Sequence, residues 1–266
     1  MTAGGTVGRD LAVPGRHAGR VVLVTGGGTG IGAATAQRFA AEGARLALCG
    51  LDQAELDRAC DALVGDGAEA RGWAGDVADE GDVTRIVDAT VGHFGQLDVL
   101  VNCAGTSAVG PVESTSLATW QRVLGTNTTG VFLMSRAAIP HLRARRGAIV
   151  TIASQLAFAA VGGFAAYCAS KAAVLHFSRC LALELIGDGV RVNVVCPGAV
   201  DTPLLRSAFP GGVSPQGTLE ELVAAHPVGR LGSADEIAGA VSYLASDDAS
   251  FAVGAALVVD GGYTLP

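Results

Sequence analysis

Apolar residues in this chain fall into short unbroken runs, separated by longer stretches in which they recur every third or fourth position. Val21-Val22-Leu23-Val24, Ala148-Ile149-Val150-Thr151-Ile152 and Val190 to Val195 have the unbroken pattern of strands buried on both faces. Arg45 to Cys49, Ala70 to Ala74, Leu97 to Val101 and Ala256 to Val259 complete the strand candidates. Between them the 3.6-residue period predicts helices from Ala33, over Gln53 to Val64, Glu80 to His93 and Ser116 to His141, from about Tyr167 onward, and over Ala234 to Ala245. The fourth of these should bend near Gly125 and Gly130.

Strands that alternate with helices specify a parallel sheet with right-handed crossovers. The expected fold is α/β: a Rossmann-type doubly wound parallel sheet of about seven strands with helices on both faces. Ligands of such sheets collect at the carboxyl ends of the strands. Gly26, Asp76, Asn102 and Ser154 all stand there. The 266 residues need no second domain, and residues 20–266 read as one catalytic unit. Residues 1–19 read as a loosely held extension, and 203–230, with its Gly and Pro residues, as a mobile lid over the substrate.

Composition narrows the functional classes. A net charge of -7 argues against a nucleic-acid or acidic-membrane surface. The six cysteines include no C-x-x-C, which argues against a metal site and a disulfide framework and suits a reducing compartment. With no apolar leader and no run long enough to span a bilayer, the expectation is a cytoplasmic protein without a membrane partner.

Two stretches carry the candidate chemistry. Thr25-Gly26-Gly27-Gly28-Thr29-Gly30-Ile31-Gly32 joins the first strand to the first helix, where backbone N–H groups and a helix N-terminus can receive a pyrophosphate. Its register is open: Gly28-x-Gly30-x-x-Ala33 and Gly26-x-x-x-Gly30-x-Gly32 both fit. Tyr167 and Lys171 stand four apart on a helix, hence on one face, with Ser154 after strand five. An ammonium near a phenol favours the phenolate, the pairing needed to exchange a proton with an alcohol or carbonyl oxygen. Asp52 either holds ribose hydroxyls or caps the helix that follows.

Taken in order, these motifs, with Asp76-Val77, Asn102-Cys103-Ala104-Gly105, Asn127, Pro197-Gly198 and Thr202, resemble the short-chain dehydrogenase/reductase family from roughly Arg20 to Gly262. The resemblance implies an NAD(P)-dependent oxidoreductase that passes a hydride between a nicotinamide and a secondary alcohol or ketone. It implies that Gly26, Gly30 and Gly32 cradle the pyrophosphate, which closes the register question. Asp76 and Val77 would hold the adenine, and Asn102 and Gly105 the adenosine ribose and nicotinamide side. Thr29, Ile31, Leu51, Ala104, Pro197, Gly198 and Val200 would also contact the coenzyme, and Thr202 would hold the carboxamide. Tyr167 is then the general acid/base, Ser154 the partner of the substrate oxygen, Lys171 the ligand of the nicotinamide ribose that lowers the Tyr167 pKa, and Asn127 the holder of a relay water.

Gly50 replaces the Asp of NAD-preferring relatives and Leu51 the Arg of NADP-preferring ones; with no cation from Leu46 to Asp57, NAD is the weakly favoured coenzyme over NADP. Gln155, Phe158, Phe164, Leu204, Leu205 and Phe209 are the candidate substrate pocket, suited to an apolar or cyclic alcohol or ketone. A 3-oxoacyl-thioester reductase and a dinucleotide-sensing scaffold are the alternative readings, and a homotetramer is the assembly that the resemblance implies.

Overall fold

The computed structural model describes residues 12–214 and 217–265. Its sheet contains β1 (Val21–Thr25), β2 (Arg45–Gly50), β3 (Ala70–Ala74), β4 (Val99–Asn102), β5 (Ala148–Ile152), β6 (Arg191–Pro197) and, last in the chain, β9 (Ala256–Val259). They lie in the order β3-β2-β1-β4-β5-β6-β9, and every pairing is parallel. The order reverses between β1 and β4, so the crevice that such sheets offer ligands opens beside Gly26 and Asn102.

The sheet is covered on both sides because each buried strand alternates its side chains between two cores. Val21 and Leu23 of β1 face the core formed with α3 (Glu80–Phe94), α5 (Gly130–Arg145) and α6 (Ala165–Leu185). Val22 and Val24 face the other, with α1 (Gly30–Ala41), α2 (Gln53–Gly65) and α9 (Ala234–Ala245). All four are fully buried, and each such side chain contributes about 1.5–3 kcal/mol.

The helix expected over Ser116 to His141 is three pieces: α4 (Leu117–Leu124), a π-helical turn (Gly125–Thr129) and α5. The π turn places Asn127 in the interior, and Gly130 has no room for a side chain because a Cβ there would lie 2.7 Å from Val77 Cγ2. The Gly- and Pro-rich segment from 203 is more structured than its composition suggests. It holds α7 (Pro203–Ala208), the antiparallel pair β7 (Val213–Ser214) and β8 (Gly217–Thr218), and α8 (Leu219–Ala224). The helices form because Thr202 caps α7 and Thr218 and Glu221 make a reciprocal capping box on α8.

Of the expected extension, residues 1–11 lie outside the described residues. The remainder is anchored rather than loose. His17 is fully buried against Phe39, and its Nε2 lies 3.2 Å from Ser242 Oγ, which in turn donates to the buried Glu42 carboxylate.

Candidate active site

β1 ends at Thr25, whose Oγ1 accepts the backbone N–H groups of Cys103 and Ala104, both at 2.9 Å, and so ties the tips of β1 and β4 together. The glycine turn follows. Gly26 and Gly30 adopt φ of 64° and 53°, in the left-handed region, and a Cβ on Gly32 would collide with the Gly26 carbonyl oxygen. The backbone is therefore folded onto itself ahead of α1 as tightly as side-chain-free residues permit. That cradle, exposing N–H groups at a helix N-terminus, fits a dinucleotide pyrophosphate.

At the other end of this crevice, Asp52 accepts the backbone N–H groups of Ala54 at 2.8 Å and Glu55 at 3.2 Å, and so takes the capping role. Leu51 is 78% exposed. Asp76 is exposed at the tip of β3, and Val77 is buried beneath it against Gly130. Asn102 is buried and donates to Ser135 Oγ at 3.2 Å. Of the carboxylates after β2, Glu55 rests on the glycine turn, its Oε1 2.7 Å from where a Cβ of Gly28 would stand.

The chemical end is built by β5 and α6. Ser154 emerges just beyond β5, its Oγ accepting Leu156 N–H at 3.1 Å, on the same cavity wall as the Tyr167 phenol. Lys171, one helical turn after Tyr167, is buried; its Nζ donates to Ile152 O at 2.9 Å and lies 5.6 Å from the Tyr167 ring centre. Asn127 accepts Thr106 N–H at 2.8 Å through Oδ1 and donates to Thr106 O and Ser170 Oγ, each at 2.9 Å. It thus fixes the loop after Gly105 against α6. A Cβ on Gly105 would stand 3.5 Å from Asn127 Oδ1 and 3.7 Å from Lys171 Nζ, so the two polar groups border the same backbone position.

Among the protein groups, burial dominates the phenol and pushes Tyr167 up to about 12, with Ser154 pulling the other way. Burial also brings Lys171 down to about 8. The cause is geometric: the amine faces a backbone carbonyl and the flank of the ring, so the desolvation cost of a phenolate exceeds what the protein groups return.

These residues surround a cavity of about 420 Å³. Gly26, Thr29, Gly30, Ile31, Gly32, Gly105, Pro197, Gly198, Val200 and Thr202 line it together with Ser154, Tyr167 and Lys171. Leu51, Asp76, Val77, Asn102, Ala104 and Asn127 do not; they stand beside or beneath it. Of the expected substrate pocket, Gln155, Phe164, Leu204, Leu205 and Phe209 line the cavity, whereas Phe158 is 51% exposed and is not part of its wall. The wall also includes Leu156, Val161, Leu222 and Tyr263, which sequence reading missed. Gly261 and Gly262, both at positive φ, turn the chain after β9 and bring Tyr263 there.

The Gln155 amide is buried, and its Oε1 has no hydrogen-bond partner among the described residues. Thr202 Oγ1 caps α7 by accepting Leu205 N–H at 3.3 Å and also faces Val200 O at 3.2 Å. Among the described residues no cluster of His, Cys, Asp or Glu could hold a metal, and no helix is long and apolar enough to cross a membrane.

Comparison with known proteins places this geometry in context. The family model described as enoyl-(acyl carrier protein) reductase matches residues 26–264. D-threitol dehydrogenase of Mycolicibacterium smegmatis is 45% identical over 93% of this chain and 94% of its own length. Meso-2,3-butanediol dehydrogenase of Serratia marcescens is 38% identical over 94% of this chain and 96% of its own. Among solved structures, that of levodione reductase superposes with a TM-score of 0.87 at 35% identity, covering 92% of this chain and 97% of the other.

Proposed function

The chain belongs to the short-chain dehydrogenase/reductase family, and from that premise we propose that it oxidises a secondary alcohol, or reduces the matching ketone, with a nicotinamide dinucleotide as hydride carrier. The observation that carries this reading is the set of buried Ser154, half-buried Tyr167 and buried Lys171, its Nζ 5.6 Å from the phenol ring centre, on a cavity that the glycine turn also lines. Bound between the glycine turn and the Pro197 to Thr202 turn, the dinucleotide would supply the hydride acceptor or donor.

The protein's part is the proton and the fit. Ser154 Oγ orients the substrate oxygen, and the Tyr167 phenol gives a proton to a ketone oxygen or takes one from an alcohol. The phenol held high by burial is a proton donor throughout the neutral range, which favours reduction there. Oxidation then requires positive charge near the phenol, which Lys171 supplies below its lowered pKa of about 8. Asn127 holds the Thr106 loop against Ser170, and so keeps Gly105 beside Lys171.

The coenzyme favoured is NAD over NADP: the carboxylate of Glu55 on the glycine turn would repel a 2′-phosphate and could accept ribose hydroxyls, and no cation stands from Leu46 to Asp57 to offset it. The substrate is a compact alcohol with a second oxygen, a diol or hydroxyketone. The wall is mainly apolar, with Ser154, Tyr167 and Thr202 as its hydroxyls, and relatives named for threitol and butanediol support a second oxygen.

An acyl-carrier substrate would call for basic surface at the mouth. There Arg206 is paired with Asp201 at 2.6 Å, and Glu221 adds a negative charge to the cavity wall. The assembly is a homotetramer in a reducing cytoplasm, a reading supported by exposed apolar side chains on α4, α5 and α6 (Leu117, Phe132, Leu183) and by six free cysteines.

The test is NADH and NADPH absorbance against a panel of butanediol, threitol, cyclohexanol and a ketoacyl thioester. Turnover of the diols with NAD supports the proposal. Turnover of the thioester alone, or of none, overturns it.

A further inference from the structure

His226 follows α8 and is 2% exposed, yet no chemistry above employs it. Its two ring nitrogens are committed to opposite sides. Nδ1 lies 2.8 Å from Leu222 O, which can only accept, and Nε2 lies 3.1 Å from Ala199 N–H, which can only donate. Both contacts are satisfied by one form alone: neutral imidazole with its proton on Nδ1. A second proton would set two N–H groups against each other at Ala199.

The partners give this ring its importance. Ala199 lies in the Pro197 to Thr202 turn on the coenzyme side of the cavity, while Leu222 is part of the wall on the substrate side. The ring also packs at 5.0 Å on Tyr263, a third wall residue. We propose that neutral His226 is a positioning residue, a pin that locks the substrate wall formed by α8 to the coenzyme turn, so that the two halves of the cavity hold one geometry.

The charged groups around the ring are engaged with other partners. The Asp260 oxygens, at the end of β9, accept Gly262 N–H and the Thr264 N–H and hydroxyl. Arg230 and Glu236 share a small cavity with His226 and neutralise each other at 2.7 Å. Glu221 is engaged in its capping box, which leaves the Leu222 and Ala199 contacts to hold the ring.

This rests on the oxidoreductase reading, and the test separates the two. Wild type, His226→Phe, which keeps the packing on Tyr263 but loses both bonds, and His226→Gln, whose amide oxygen can accept Ala199 N–H, are compared after circular dichroism shows equal folding. The readouts are KM and kcat for the alcohol, and the rate of chymotryptic cleavage at Leu219 or Leu222 with NADH present, which needs no turnover. The expected result for His226→Phe is a KM and a cleavage rate each raised about tenfold, the equivalent of one lost hydrogen bond, with kcat less affected and His226→Gln largely restored. A Phe variant with wild-type KM and cleavage rate, or a Gln variant no better than Phe, overturns the pin. Absence of turnover in wild type overturns the oxidoreductase reading and leaves the cleavage arm to decide this one.

Discussion

The two ends of the cavity are built by different means. At the glycine turn the determinant is backbone: Gly26 and Gly30 in left-handed conformations, and Gly32 pressed on the Gly26 carbonyl. At the chemical end it is side chains brought from β5, α6 and the π turn, linked by hydrogen bonds of 2.8 to 3.1 Å. The first arrangement tolerates no added atom on its backbone, and charge enters it only through Glu55 at its edge. The second tolerates shape changes, and every protonation state in it matters. Binding should therefore fail by sterics at one end and chemistry by electrostatics at the other.

The largest expected effect isolates the chemical end. Tyr167→Phe removes the proton donor and should lower kcat by about a thousandfold or more while leaving the NADH Kd within about threefold. In the wild type, steady-state oxidation rates should rise with pH through the neutral range, since the base form of a phenol held near 12 becomes more populated, and the rise should flatten above about 8 as Lys171 loses its charge. Next comes the mirror case. Gly32→Ala places a methyl group against the Gly26 carbonyl and should weaken NADH binding by about a hundredfold in a fluorescence titration, through misplacement of the turn.

A smaller change sharpens the division by adding charge to the steric end. Glu55→Lys should move the NADPH-to-NADH preference by about tenfold toward NADPH, read as a ratio of two Kd values. The smallest effect on the cavity comes from far away. Burial lowers His17 to about 4 from an ordinary 6.5, so the stability that its neutral form preserves is present above 6.5 and lost as pH falls through 4. His17→Asn should flatten acid unfolding over that interval in a denaturant titration without changing the NADH Kd.

The same contrast explains how much was legible in the sequence. The strands, the glycine turn and the Tyr167 and Lys171 pair were readable because each is set by local spacing: unbroken apolar runs, side-chain-free residues, and positions four apart on a helix. The edges were less so: β6 runs to Pro197, past the expected Val195, because Cys196 and Pro197 keep their pairing with β9. What escaped depends on contacts between distant segments. Of the two roles open for Asp52 the cap is the one observed, whereas Phe158 turned away from the cavity and Tyr263 and Leu222 entered it, which no periodicity encodes. Spacing also places an amine near a phenol without showing the amine turned toward Ile152 O, or the desolvation of both groups.

The central claim is hydride transfer governed by the Tyr167 phenol, and its most direct test is isotopic. Wild type and Tyr167→Phe are each given NADH deuterated at nicotinamide C4 and a small hydroxyketone, and the product is read by mass spectrometry. The account expects deuterium on the new carbinol carbon for wild type and none above background for Tyr167→Phe. Unlabelled product from wild type, or equal labelling by both proteins, would contradict it.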